Sequence, residues 1–252
     1  MAVGVTADAS SAVVEMTVYG RWSQQLGNQV TAGLRLCLAG PCEAVIIDLR
    51  GVGDVHGVSL PYWLLAQRTA WLAPAPVHLA FCSPPATKLD YRLRHLEGTP
   101  LLLFATMAQA RIVIAGGLSP ADRLQVRLAP RPNSVRAARD LVDQACQVWK
   151  LPELRRTAAL IVSELATNAV VHAATDFVVT VFRRGSKLHV AVRDSDFRYP
   201  RMRGSVHGSG QGPIEERGRG LRLVHAVAAG WGAMPAHGGK VVWATVSADS
   251  DG

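Results

Sequence analysis

The stretch ELATNAVVHA, residues 164–173, decides the fold of the second half of the chain. It places a carboxylate, a carboxamide and an imidazole, on Glu164, Asn168 and His172, four residues apart in an apolar, alanine-rich segment. Such a segment favours a helix, and residues four apart lie on one helix face. Burying an unpaired polar group costs about 1 to 3 kcal/mol, so a purely structural helix would place Leu or Val there. The pattern therefore predicts a line of polar side chains facing a pocket.

Strand and helix patterns alternate around this helix. Asn133 or Ser134 is expected to cap an amphipathic helix before it, and Pro152 to open the helix itself. A short RRGS turn joins two of the strand patterns and indicates a hairpin. The strand patterns cover residues 124–130, 177–182, 187–194 and 240–247.

A loop and a glycine-rich helix start come between the last two of these strands. Residues 197–217 are rich in Gly, Arg, Ser and Pro and have no apolar periodicity, so they are expected to form a mobile loop. The sequence GRGLRLVHAVA then begins at Gly218. Glycines at a helix start leave backbone N–H groups open, and such groups bind anions, phosphates included.

The first half also alternates strand-like and helix-like patterns, which predicts a sheet covered by helices. Its clearest strand is AVIIDL, residues 44–49, an unbroken apolar run suited to a buried strand. The Gly-, Ser- and Pro-containing segment near residues 117–123 separates the halves. We therefore predict a domain over 1–117, a linker over 118–123 and a second domain over 124–252, within an α/β fold class.

Composition excludes several classes of protein. No apolar run of the 252 residues reaches the roughly 20 needed to cross a membrane, and the N-terminus does not resemble a signal peptide, so we expect a cytoplasmic protein without membrane contact. The four cysteines are scattered, without metal-ligand spacing, and reduced thiols are expected.

The net charge of +8 is concentrated in the second half. Residues 118–252 contain 19 Lys and Arg against 12 Asp and Glu, whereas residues 1–117 contain 8 against 7. Such a bias attracts nucleotide phosphates, an acidic protein or nucleic acid. No nucleic-acid-binding motif accompanies the charge, so we do not expect direct binding to nucleic acid.

Five features of the second half follow the order found in the GHKL (Bergerat) ATPases. They are the polar segment ELATNAVVHA, Asp194 after the strand VAVR, the flexible loop, the sequence GRGL, and the closing strand GGKVVWATV. The second half thus resembles this family, in particular its anti-sigma-factor serine/threonine kinases, across about 120 residues. The resemblance implies an α/β sandwich, bound ATP and Mg²⁺.

The resemblance also implies roles for individual residues. Glu164 would activate the attacking hydroxyl, Asn168 would bind Mg²⁺, and His172 would support the site. Asp194 would accept a hydrogen bond from the adenine amino group. The remaining nucleotide-binding residues would lie at the phosphates; they are Arg217, Gly218, Arg219, Gly220 and Leu221. The family pattern after the strand is DxGxG, whereas this chain reads DSDFR, with Asp196 where the family has glycine.

The first half resembles the STAS domain of anti-sigma-factor antagonists over residues 12–115. The match is strongest in VIIDLRGVGDVHGVSL, residues 45–60. His56 occupies the position of the phosphorylated serine, so serine phosphorylation cannot occur there, and Ser59 follows three residues later. We interpret this domain as a STAS-like fold kept for packing or docking, with a phosphohistidine site as the alternative.

Together these resemblances imply an ATP-dependent protein serine/threonine kinase that acts by partner switching. Its partners would be an antagonist protein of the STAS type, a sigma factor, or both, and the chain could form a homodimer. The alternative hypothesis is a non-catalytic partner-binding module, in which the altered DSDF sequence marks a degenerate nucleotide site. Magnesium-dependent ATP binding separates the two.

Overall fold

The computed structural model describes residues 2–8, 13–40, 42–73, 76–96, 101–117, 122–200 and 219–248. The chain forms two compact units, Met1–Ser119 and Pro120–Gly252. Each unit combines paired strands with helices, so the α/β class predicted from the sequence is confirmed.

The strands of the first unit pair in a mixed arrangement. Their bounds are β1 (Val3–Asp8), β2 (Val13–Arg21), β3 (Ala44–Gly53), β4 (His78–Cys82) and β5 (Leu102–Phe104). β1 and β2 are antiparallel, whereas β2, β3, β4 and β5 run parallel to their neighbours in the order β5-β4-β3-β2-β1. Parallel neighbours require crossover connections, which the helices between them provide.

Helices cover both faces of these strands. Their bounds are α1 (Gln24–Ala39), α2 (Leu60–Trp71), α3 (Lys88–Arg94) and α4 (Met107–Gly117). The Thr31 hydroxyl lies 2.8 Å from the Tyr62 hydroxyl and joins α1 to α2. The Trp63 ring of α2 packs against Phe81 of β4, while α4 packs on the other face, against Ala80 and its neighbours. Coverage on both sides explains why the central strand β3 is an unbroken apolar run.

The strands of the second unit are antiparallel throughout. Their bounds are β6 (Arg123–Leu128), β7 (Phe177–Arg184), β8 (Lys187–Asp194), β9 (Gly230–Ala236) and β10 (Gly239–Val246). They pair in the order β9-β10-β8-β7-β6. Gly185, with φ of 59°, forms the tight turn between β7 and β8, as the RRGS sequence predicts. β1 and β9 were not expected from the sequence.

Three helices pack on one face of these strands and form the second core: α5 (Pro132–Val148), α6 (Arg155–Asn168) and α7 (Arg219–Val227). The expected cap of α5 is wrong. Arg131 holds the N-cap position and Pro132 opens the helix, while the Ser134 hydroxyl donates to the Ala129 carbonyl at 2.6 Å. Proline suits the first helical position because its fixed φ matches the helix and its missing N–H is not needed.

His189 of β8 lies on the sheet face away from these helices and is buried. Its Nδ1 is 2.9 Å from the Thr245 hydroxyl, and its ring stacks on Phe182. Burial, with the positive charges of Arg184 and Lys187, lowers the pKa of His189 to about 3. The imidazole is therefore neutral at pH 7.

This lowered pKa predicts a loss of stability in acid. The unfolded chain binds a proton at His189 near pH 6.5, whereas the folded chain does not do so until about pH 3. The free energy of unfolding should therefore fall from pH 7 to pH 5 by about 2 kcal/mol through this residue. In His189→Gln that part of the pH dependence should vanish, as measured by urea unfolding at both pH values. An equal pH dependence of stability in the wild type and in His189→Gln would contradict this prediction.

The helices of both units were also compared with the requirements of a membrane span. Over the described residues, none of them combines the length and the apolar character that a membrane span requires.

Candidate functional site

Helix α6 positions the first two predicted site residues. Its inward face is apolar and belongs to the core of the second unit. Glu164 and Asn168 lie beside that face, each half-buried and one helical turn apart. The inward-facing residues are Ala158, Ile161, Val162, Leu165 and Ala166.

The helical path changes directly after Asn168. The segment Ala169–Ala173 is a π-helical turn, closed by the Ala174 N–H, which donates to the Ala169 carbonyl at 3.0 Å. Ala174 then ends the helix with a positive φ of 51°. The structure places His172 on this turn, where its side chain is exposed, whereas Glu164 and Asn168 are half-buried.

Glu164 lies directly on the first turn of α7. A Cβ atom added to Gly220 would collide with Glu164 Oε2 and lie 3.2 Å from Glu164 Cδ. The start of a helix has free N–H groups and a partial positive charge, which stabilise a nearby carboxylate. Gly220 is therefore needed for close approach, and it links the polar segment ELATNAVVHA to the GRGL sequence.

This contact predicts opposite effects of one substitution in two backgrounds. Gly220→Ala should destabilise the protein by about 1 to 3 kcal/mol, because the added methyl group meets the Glu164 carboxylate. In a Glu164→Ala background the clash is gone, and the same change should stabilise the helix by up to about 1 kcal/mol. Denaturant unfolding of the four proteins measures this coupling.

Gly116→Ala in α4 is the matched control, since nothing lies within 4 Å of its added Cβ. It should be stabilising or neutral. Independent, additive effects at Gly220 and Glu164 would show that the two residues are not in contact.

Asn168 has an incomplete hydrogen-bond environment. Its Nδ2 is buried and has no partner among the described residues. A buried polar group without a partner is costly, and such groups often await a ligand or ion. Rotation of the amide exchanges its nitrogen and oxygen, and amide oxygen is a suitable ligand for Mg²⁺.

The surroundings of Asn168 fit Mg²⁺ bound together with a nucleotide. Within the described ranges, no three His, Cys, Asp or Glu side chains gather into a metal-binding group, and the four cysteines are buried and free. An all-protein cage is therefore absent from this part of the chain. Mg²⁺ usually binds through one or two protein oxygens, several waters and the phosphates of its substrate, and Asn168 fits that mode.

Asp194 ends β8 as predicted and is buried, 5% exposed. Its carboxylate has an internal partner that the sequence analysis missed. Lys240 Nζ lies 2.9 Å from Asp194 Oδ1, and the Asp196 N–H donates to the same oxygen at 2.9 Å. The signal for this pair is the antiparallel register, which sets Lys240 opposite Asp194.

The DSDF turn forms without a glycine. Asp196 does not adopt a positive φ, so the side chain in place of the family's glycine causes no backbone strain. Its carboxylate accepts hydrogen bonds from the Arg198 N–H at 3.1 Å and from the Arg198 guanidinium, and these bonds lower the pKa of Asp196 to about 2. Ser195 N–H donates to the Thr175 hydroxyl at 3.2 Å, which ties this turn to the end of the helix.

The phosphate end of the predicted site is described in part. Gly220 and Leu221 lie in the first turn of α7, and the Leu221 side chain is buried in the core. Arg217 and Gly218 lie outside the described residues, as does the side chain of Arg219. Most of the predicted loop, from residue 201 onward, lies outside them too.

In the first unit, the loop between β3 and α2 contains His56, at the position of the family's phosphorylated serine, and leads to Ser59. The Ser59 hydroxyl donates to Asp54 Oδ2 at 2.6 Å and accepts from the Trp63 indole at 2.9 Å. Ser59 is fully buried and therefore inaccessible to a kinase, whereas His56 is exposed. Asp54 also accepts from the N–H groups of Val58 and Ser59, so its carboxylate shapes the loop ahead of α2.

Comparison with known proteins bears on the second unit. Residues 128–245 match the family described as histidine kinase-like ATPase domain. The second unit is similar to these ATPases. The match includes α5, α6, the β7–β8 hairpin, Asp194 and Lys240. It agrees with the GHKL resemblance of the second half.

The comparisons with curated proteins and with solved structures add little to this family match. No curated protein matches the chain. Among solved structures, the RsbU and RsbW domains of Rv1364c from Mycobacterium tuberculosis align with a TM-score of 0.37 and 17% sequence identity. That alignment covers 50% of this chain and 32% of the other, so this chain spans about a third of its length.

Proposed function

We propose that the second unit binds ATP with Mg²⁺ beside α6, at the start of α7 and the end of β8. The observation that supports this most is the close contact of Glu164 with Gly220, one turn from the Asn168 amide, whose Nδ2 has no partner among the described residues. A carboxylate, an open amide and a helix N-terminus thereby meet within the segment that matches the ATPase family. This combination provides groups for a metal ion, phosphates and a hydroxyl proton.

We further propose that the reaction is phosphoryl transfer to a serine or threonine hydroxyl of a partner protein. Bound Mg²⁺–ATP would supply the phosphoryl group and offset part of its charge. Asn168 would hold the metal ion through its amide oxygen, and Glu164 would accept the hydroxyl proton. The N–H groups from Gly218 to Leu221 would hold phosphate oxygens, with Arg217 and Arg219 beside them.

The adenine ring of ATP would be recognised at the end of β8. Asp194 would accept a hydrogen bond from the adenine amino group, since a carboxylate oxygen is an acceptor only. The site role of His172 would be to support the turn after Asn168, because the His172 carbonyl accepts from Arg198 at 3.5 Å.

The partner in this proposal is an antagonist protein of the STAS type, a sigma factor, or both. The resemblance of the second unit to anti-sigma-factor kinases supports it, as does the basic excess of residues 118–252. We propose the first unit as a STAS-like docking domain. It cannot be regulated by serine phosphorylation at position 56, because the exposed residue there is His56. A homodimer belongs to the same proposal.

One observation favours the second candidate, a non-catalytic partner-binding module. Asp194 already has a buried internal partner in Lys240, so the nucleotide would bind to a carboxylate that is partly engaged. In this alternative the fold would bind its partners through its surface and would not use ATP.

Calorimetric titration of the full chain with ATP, with and without Mg²⁺, tests the proposal. We expect binding that Mg²⁺ strengthens. No detectable ATP binding under either condition would overturn the proposed function and leave the non-catalytic module.

A further inference from the structure

Lys240 is held by three oxygen atoms at the base end of the candidate site. Its Nζ lies 2.9 Å from Asp194 Oδ1, 3.1 Å from the Asp196 carbonyl oxygen and 3.5 Å from Asp196 Oδ2. The side chain of Lys240 is 7% exposed and that of Asp194 is 5% exposed. An ammonium group has three N–H donors, so these three acceptors fix its position.

The backbone brings this pair together. β10 runs antiparallel to β8 with Lys240 directly opposite Asp194, so both side chains lie on the same face of the sheet. That face also presents Val190, Val192 and Val242 to the helices. Gly239 allows the close approach, because a Cβ there would lie 2.7 Å from Ser195 Cα and 2.8 Å from the carbonyl carbon of Asp194.

A buried ion pair of this kind is poor evidence for a role in stability. Removing two charges from water is costly, and well-packed apolar residues often stabilise a protein as well or better. Such pairs can instead fix one geometry among several. The geometry that Lys240 fixes is the orientation of the Asp194 carboxylate together with the DSDF turn.

The two oxygens of Asp194 differ as a result. Oδ1 accepts from Lys240 and from the Asp196 N–H. Both hydrogen bonds that the Asp194 carboxylate accepts from described residues go to Oδ1, and neither goes to Oδ2. A carboxylate oxygen accepts hydrogen bonds and cannot donate them, so Oδ2 suits a 6-amino purine and opposes a 6-oxo purine.

We propose that Lys240 is a positioning residue that gives the nucleotide site its preference for a 6-amino purine. By holding Oδ1 and the Asp196 carbonyl, it leaves Asp194 Oδ2 for the amino group and keeps the turn closed where the family has glycine. The proposal rests on the proposed function, since it concerns the base of the nucleotide bound there.

The test compares ATP with inosine triphosphate, which differs by having an oxygen in place of the 6-amino group. Dissociation constants are measured by calorimetry for the wild type, Lys240→Met, Lys240→Arg and the double variant Asp194→Asn/Lys240→Met. The wild type should prefer ATP by about 10-fold or more, as expected for a hydrogen bond to a charged group. Lys240→Met should lose most of that preference, and Lys240→Arg should keep a larger part of it.

The double variant keeps the test valid if Lys240→Met fails to fold, because it removes both buried charges. The amide introduced at position 194 can turn either an oxygen or an NH₂ group to the base, so the preference should fall to about 1. Lys187→Met, at the opposite end of β8, is the matched control and should keep the wild-type preference.

The outcomes separate the two proposals. If the wild type binds neither nucleotide, the proposed function fails. If all proteins bind both nucleotides with the same preference, ATP binding stands and the role of Lys240 is overturned. Tighter ATP binding by Lys240→Met would also overturn it, since Lys240 would then block the site. If Lys240 had only a structural role, its replacement would weaken the binding of both nucleotides equally and leave the preference unchanged.

Discussion

Asn168→Ala is expected to abolish the Mg²⁺-dependent part of ATP binding while leaving the fold intact. The amide that we assign to the metal ion has a buried nitrogen without a partner among the described residues, so its removal should cost little stability. Calorimetry with and without Mg²⁺ measures the binding, and urea unfolding measures the stability.

Thr167→Ala is the matched control for this experiment. Thr167 is the preceding residue of α6, and its side chain is exposed. It should bind ATP as the wild type does and respond equally to Mg²⁺. Unchanged ATP affinity of Asn168→Ala in the presence of Mg²⁺ would show that Asn168 is not a ligand of the metal ion.

Glu164→Gln is expected to keep ATP binding and to lose phosphoryl transfer. The amide keeps the shape of the side chain but cannot accept the hydroxyl proton, which should lower the transfer rate by about 10²-fold to 10⁴-fold. ATP affinity should be equal or higher, because a negative charge beside the start of α7 is removed. Transfer from radiolabelled ATP to a serine-containing antagonist protein measures the rate, under single-turnover conditions.

Glu153→Gln provides the control for this substitution. Glu153 lies in the short 3₁₀ turn Pro152–Leu154 that precedes α6, and it is exposed. It should transfer phosphate at the wild-type rate. Transfer at the original rate by Glu164→Gln would mean that another group accepts the proton.

Elements with a strong local pattern were predictable from the sequence. The apolar run of β3 and the alternation of β8 predict strands that the structure contains, with β8 at its predicted bounds Lys187–Asp194. β9 was missed because its sequence GWGAMPA is poor in strand-forming residues and contains Gly and Pro. Its pairing with β10 overrides that weak local preference.

Features of the site that depend on tertiary contacts could not be predicted. The π turn Ala169–Ala173 continues an alanine-rich segment, which favours an α-helix locally and gives no signal for the change. The contact of Glu164 with Gly220 joins residues 56 positions apart, and the pair of Lys240 with Asp194 depends on strand register. Residue types therefore singled out Glu164 and Asn168, but they did not indicate which residues lie against them.

The central claim is that a metal–nucleotide complex binds at Asn168 and the start of α7. Mn²⁺ can replace Mg²⁺, and it broadens the NMR signals of nearby protons. With Mn²⁺ and ATP added to the isotope-labelled full chain, the side-chain amide of Asn168 and the backbone amide of Gly220 should lose intensity first. The backbone amide of Lys187, at the end of β8 opposite Asp194, serves as the reference that should lose the least intensity. Broadening centred elsewhere, with the signals of Asn168 and Gly220 unchanged, would contradict the account.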